Sequence, residues 1–160
     1  GSAGGTTFEL TATVLVSYTA VSLQFTLFER AASLSFVAEP QFSDLSASAF
    51  TTQPVVQLLD VNFVAIATGP HASLDVTISA STFGLTGTLL QTAVAGTASF
   101  SDLVGTLTDS STSHTIEATV AAPSLLMTSA PFTIFPLATE IVFTTDPVGD
   151  VLEGVVIKHA

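Results

Sequence analysis

Three histidines, His71, His114 and His159, and thirteen carboxylates are the groups in this chain that could carry acid–base or metal chemistry. A metal site or a general base needs carboxylates or further histidines at ligand spacing beside the imidazole. His71 follows Gly69-Pro70 in a turn, His114 opens an alternating segment and His159 is a terminal residue, and none has such neighbours in sequence. Ordinary surface roles are expected for His71 and His114. Serine is abundant, but no Gly-x-Ser-x-Gly elbow with strand-turn-helix context supports a Ser-His-Asp triad. Carboxylate pairs for glycoside hydrolysis could be drawn from Asp60, Asp75, Asp102, Asp109 and Glu117, yet any acidic chain of this length offers such pairs. No catalytic, cofactor-binding or metal residue is therefore assigned, and the expectation is a protein that is not an enzyme.

Calcium is the strongest ligand candidate. Glu29, Glu39, Asp44, Glu140, Asp146 and Asp150 gather in sequence near two short linkers, the kind of place where extracellular sandwiches collect carboxylates. No loop carries an EF-hand pattern or a Gly-Asp nonapeptide repeat, so a solvated acidic rim is the expected reading and no cofactor is assigned.

Composition excludes whole classes of partner. Two basic residues, Arg30 and Lys158, stand against thirteen acidic ones, a net charge of −11 over 160 residues. Phosphates would be repelled, and no basic patch, P-loop lysine or arginine clamp can be assembled, which argues against nucleic acid, anionic lipid and ATP. Cysteine is absent, so disulfides, zinc thiolates and thiol nucleophiles are excluded. No apolar run approaches the roughly 18 residues of a spanning helix, and GSAGG does not resemble a leader; the chain is expected to be mature or a fragment, with no membrane insertion. Asn62, the sole Asn, is followed by Phe63 and Val64, so there is no N-glycosylation sequon. Ser and Thr number 18 and 25. They have three readings: solvent-facing strand positions, acceptors for O-linked glycans, and dry contacts between chains.

The elements that must position these groups are strands. Apolar residues alternate with Ser, Thr or acids over short stretches rich in β-branched and aromatic types, the period of half-buried strands. In 113–121, SHTIEATVA, Ile116, Ala118 and Val120 face one way and Thr115, Glu117 and Thr119 the other. Similar segments fall at 7–14, 20–28, 33–38, 54–60, 73–80, 87–94, 96–103, 128–135 and 139–145, with a weaker one at 151–158. Turn signals such as Gly69-Pro70 and Ala95-Gly96 separate them, and helix is nearly absent. The expected core is Val56, Leu58, Val76, Ile78, Leu89, Ala98, Phe100, Leu103, Ile116, Ala118, Val120, Phe132 and Ile134.

The chain also repeats itself. Residues 24–40 realign with 131–147 at an offset of 107 without a gap, with identities at Phe25/Phe132, Thr26/Thr133, Phe28/Phe135, Ala31/Ala138, Phe36/Phe143 and Pro40/Pro147. Upstream, after a slip of one residue, LTATV at 10–14 matches IEATV at 116–120. A rival register through FTTQP at 50–54 and FSDL at 42–45 and 100–103 does not extend into flanking strands and is rejected. The organisation that follows has 1–30 as the last strands of one unit, 31–136 as a complete unit and 137–160 as the start of another. Linkers of two or three residues should couple successive units stiffly.

The middle unit resembles the bacterial-type immunoglobulin-like repeats found in tandem in large cell-surface and secreted proteins. The resemblance is carried by LSFVAEP at 34–40, QPVVQLLDVN at 53–62, LTGTLLQTAVAGTASFSDL at 85–103 and SAPFTIF at 129–135. It implies an all-β, immunoglobulin-like Greek-key sandwich, an extracellular or cell-surface location, and structural, stalk-forming or adhesive use without catalytic residues. About seven strands in some hundred residues is independently sandwich spacing. One departure is the turn after Asp60, where the family usually carries Gly-Asn and this chain has Val61-Asn62-Phe63.

A mean hydropathy of +0.67 with 9% charged residues leaves edge strands without the lysines that normally guard them. Such sides are best covered by neighbours, so the expected partners are adjoining repeats or copies of the chain itself, in a stalk, fibre or filament. Strand exchange between units is a sharper form of this expectation, since both end segments supply strands without a complete unit. The alternative is an adhesin-type module that recognises a glycan or protein through its loops, although the absence of Trp and a lone Tyr18 leave little for carbohydrate stacking.

Overall fold

The structure, a computed structural model, describes residues 5–14, 18–42, 47–107, 113–135 and 142. It is all-β, with fourteen short strands among the described residues and one 3-10 turn, Pro70–Ser73.

Residues from Ala31 onward build two facing sheets. In one, β5 (Ser33–Ala38) pairs with β7 (Val55–Leu59), which pairs with β11 (Thr97–Ser99), all antiparallel. In the other the order is β10 (Leu90–Thr92), β8 (Asp75–Ser79), β13 (Glu117–Val120), β14 (Leu125–Thr128), again antiparallel. A small third sheet, β6 (Ser48–Ala49), β12 (Val104–Thr106) and β9 (Gly84–Thr86), lies in the order β6-β12-β9. The chain changes sheets between β7 and β8, between β10 and β11 and again before β13, an arrangement consistent with a β-sandwich.

Alternation decides what fills the middle. Val56 and Leu58 from β7, Val76 and Ile78 from β8, Ala98 from β11 and Ala118 and Val120 from β13 are all buried, each separated from the next inward residue by one facing out. Eleven of the thirteen expected core residues are buried and the other two, Leu89 and Phe132, pack against them. Four aromatics close one region: Phe50 meets Phe42 at 5.2 Å and Phe132 at 5.4 Å edge-on, and Phe83 lies 5.7 Å from Phe132. Edge-to-face contacts of this kind contribute about 0.5–1.5 kcal/mol each beyond area burial.

The turn after Asp60 is resolved without glycine. Asp60 is buried, and its Oδ1 accepts N–H groups from Asn62 and Val64, both at 2.8 Å. Those bonds hold exposed Phe63 at φ 60°, the left-handed position where Gly would sit at least cost. Gly96, at φ +76°, is required twice over, because a Cβ there would collide with the carbonyl of Ile66.

Several expected strands are divided or displaced. The segment at 7–14 is two strands, β1 (Thr6–Phe8) and β2 (Thr11–Val14), and that at 20–28 is β3 (Tyr18–Val21) and β4 (Phe25–Leu27). The strand expected at 128–135 is regular only as β14, which ends at Thr128 opposite Glu117, and beyond it Ser129 and Phe132 continue the pairing singly with Ile116 and His114. The strands expected at 139–145 and 151–158 lie outside the described residues apart from Val142.

Candidate functional site

The residues that could do chemistry are held in structural work. Contrary to the surface role expected for it, His114 is 1% exposed. Its Nδ1 lies 3.1 Å from Thr82 Oγ1 and its ring meets Phe83 edge-on at 5.4 Å. His114 shares the parity of Ile116, Ala118 and Val120, so the strand that buries them points it inward as well. His71, half-buried, accepts the Ala31 N–H at Nδ1, 3.2 Å away. His159 lies outside the described residues.

The carboxylates are similarly engaged. Asp75 accepts from Thr92 Oγ1 at 2.6 Å, and Glu39 accepts the Ala130 N–H at 3.0 Å. Asp102 accepts both the hydroxyl and the N–H of Thr88, at 2.7 and 3.0 Å, and these bonds, the hydroxyl first, hold its carboxyl below the usual carboxylate range. Glu117 faces solvent, and Asp109 lies outside the described residues. Of the six calcium candidates, Asp44, Glu140, Asp146 and Asp150 lie outside the described residues; Glu29 and Glu39 remain. No group of three or more His, Cys, Asp or Glu able to hold a metal ion occurs among the described residues. No helix there is long and apolar enough to cross a membrane.

What stands out is a surface. β1 pairs antiparallel with β4 and β2 with β3, forming one arm on either side of residues 15–17, and every described residue from Gly5 to Arg30 is exposed. The arm is amphipathic. Phe8, Leu10, Ala12 and Val14 share one face with Tyr18, Ala20, Phe25 and Leu27, and Phe8 stacks on Phe25 at 6.0 Å. Thr7, Glu9, Thr11, Thr13, Thr19 and Thr26 alternate onto the other, together with exposed Val21, the partner of Thr11.

This arm repeats the register of the arm that closes the sandwich. Thr11, Ala12, Thr13 and Val14 face Val21, Ala20, Thr19 and Tyr18; Glu117, Ala118, Thr119 and Val120 face Thr128, Met127, Leu126 and Leu125. Phe8 faces Phe25 as His114 faces Phe132. The first strands correspond at an offset of 106 and the second at 107, so the one-residue slip in the sequence match falls in the connection between them. Each arm is also pinched by the same serine. Ser22 Oγ accepts the Leu10 N–H and donates to the Leu23 carbonyl, both at 2.9 Å, while Ser22 N–H donates to the Leu10 carbonyl at 2.8 Å. Ser129 does the same with Ile116 and Ala130, at 3.1, 2.9 and 2.9 Å. Burial separates the two: Val14 is 68% exposed and its counterpart Val120 4%.

The junction between the arm and the sandwich is narrow. The Phe28 ring lies against Gly5 and Gly69, so close that a Cβ on Gly69 would sit 2.5 Å from the ring. With the His71–Ala31 bond, this ties the outgoing strand to the turn at 69–71. Beside it, Glu29, Arg30, Val61, Pro123 and Leu125 line an open groove.

Compared with known proteins, the chain matches no family model, no curated protein and no solved structure.

Proposed function

We propose that this chain is a structural segment of an extracellular stalk, fibre or filament built from tandem immunoglobulin-like repeats, with no catalytic role. The observation that carries the reading is the identity of register and serine pinch between the arms at 6–27 and 114–135, one bare and one seated in a sandwich. A sequence repeat alone could reflect composition. A shared pairing register, down to the same serine bridging the same two backbone sites, is what two copies of one supersecondary unit would give and supports the reading.

Three further features support it. The strand order, with β5-β7-β11 against β10-β8-β13-β14 and a closing β13–β14 pair, is compatible with an immunoglobulin-like Greek key and supports that reading. The edge strands β5, β10, β11 and β14 contain no charged residue, so neighbours along a fibre would cover edges that the sequence leaves undefended. The Phe28–Gly69 contact and the short link to Ala31 suit end-to-end units that resist bending. Ser and Thr on the outer faces would carry any O-linked glycans.

The test is to complete the first unit. Joining a copy of residues 31–111 directly ahead of Thr6 supplies the arm with the strands that precede its counterpart. Small-angle scattering should then give a longer, rod-like particle with two sandwiches. A compact particle, or one sandwich trailing an unfolded extension, would refute the reading.

A further inference from the structure

We infer that the apolar face of the arm at 6–27 is a docking surface for an open sandwich of the kind formed by residues 31–107, one whose own closing arm is not in place. The inference rests on the tandem-repeat reading and deepens it by naming the occupant and the register of docking.

A two-stranded arm with one apolar side is marginal in water by itself, and a large aliphatic or aromatic side chain gains about 1.5–3 kcal/mol when buried. At six inward positions the two arms carry nearly the same residues, while Tyr18 and Ala20 stand where the other arm has Leu125 and Met127. Ala12, Val14 and Phe25 are identical with Ala118, Val120 and Phe132, while Leu10 and Leu27 stand for Ile116 and Ile134 and Phe8 for His114. The seat is defined as well: β13 lies beside β8 with Ala118 opposite Ile78 and Thr119 opposite Thr77, in the core that also buries Val56 and Leu58. An arm with the same register and nearly the same inward side chains fits that bed with Ala12 opposite Ile78 and Thr13 opposite Thr77. A second copy whose own arm is seated offers no such bed, which defines the partner as a unit with its last arm missing or displaced.

Because the chain has no cysteine, a disulfide can report the register. The acceptor is the full chain carrying Val120→Asp and Ile134→Asp, which unseats its own arm, with Thr77→Cys. The donor is the full chain with Thr13→Cys. The two are refolded together from urea and oxidised, and the mixed product is mapped by mass spectrometry. Adjacent antiparallel strands bring such a pair within disulfide reach. A disulfide joining position 13 of the donor to position 77 of the acceptor should form, and drop at least roughly tenfold when the donor also carries Leu10→Asp and Val14→Asp. Absence of the link overturns the docking proposal. So does a donor-only product in which Val14→Cys chains couple to each other, since that would make a second copy of the arm the occupant. A separate variant, His114→Phe with Ile116→Leu and Ile134→Leu, gives the seated arm the bare arm's residues at positions 114, 116, 118, 120, 132 and 134. If it folds while the link fails, the repeat stands and the docking falls; if it cannot fold, the equivalence of the two arms is wrong and both fall.

Discussion

Leu10 and Ile116 each donate their N–H to the Oγ of a pinching serine and accept that serine's N–H at their carbonyl, at the same register position, yet Leu10 is 65% exposed and Ile116 is fully buried. Identical local structure with opposite burial separates what an arm owes to its own hydrogen bonds from what it owes to the sandwich over it. Ile116→Ala should therefore cost about 2–5 kcal/mol, the range for truncating a buried aliphatic side chain. Leu10→Ala should change the same unfolding transition by no more than about 0.5 kcal/mol, as exposed positions do. Urea denaturation of the two variants measures both.

Asp60 and Phe63 form a second testable pair. The Asp60 carboxylate satisfies two N–H groups from a buried position, so Asp60→Ala should destabilise by about 1–3 kcal/mol. Phe63 packs little and occupies a left-handed φ that costs a non-glycine residue about 1 kcal/mol. Phe63→Gly should leave the melting temperature unchanged or raise it, a result that a buried structural aromatic could not give.

Thr88 sets one pH response. Its hydroxyl and N–H hold the Asp102 carboxyl below its ordinary value in the folded state. A group with a lowered folded pKa stabilises above its unfolded pKa, near 3.9, and loses that contribution as pH falls through the folded value. Stability measured from pH 5 downward should thus fall less steeply in this window for Asp102→Asn than for the parent chain. Equal slopes would mean that the Thr88 bonds do not persist in solution.

Leu126 and Met127 on edge strand β14 are exposed with no charge nearby on that strand. Leu126→Lys should reduce concentration-dependent association in light scattering and shift the unfolding midpoint little, because the side chain faces solvent. Unchanged association would place the contacts elsewhere.

The sandwich core was legible in the sequence because period-two alternation determines which side chains meet. The same alternation, extended two residues upstream from Ile116, would have placed His114 in the core; chemical type drew it to the surface reading, whereas parity buries it. The third sheet left no such signal. Its strands are two or three residues long and include Gly84 and Gly105, too short for a period to register. The breaks at Glu9-Leu10 and Ser22 were also silent, since they depend on a side-chain-to-backbone bond rather than on hydropathy. The surface at 6–27 was half visible: repetition revealed a related segment, but only strand pairing located the slip and aligned the bare face with the buried one.

The most direct test of the tandem-repeat account is amide hydrogen exchange at Leu10–Val14, measured in the chain as it stands and again with residues 31–111 joined ahead of Thr6. The account predicts fast exchange in the first and, in the second, protection rising to that of Ile116–Val120. Exchange that stays fast in the extended chain, with the added strands unfolded beside it, would contradict the claim that this arm closes a sandwich of the same kind.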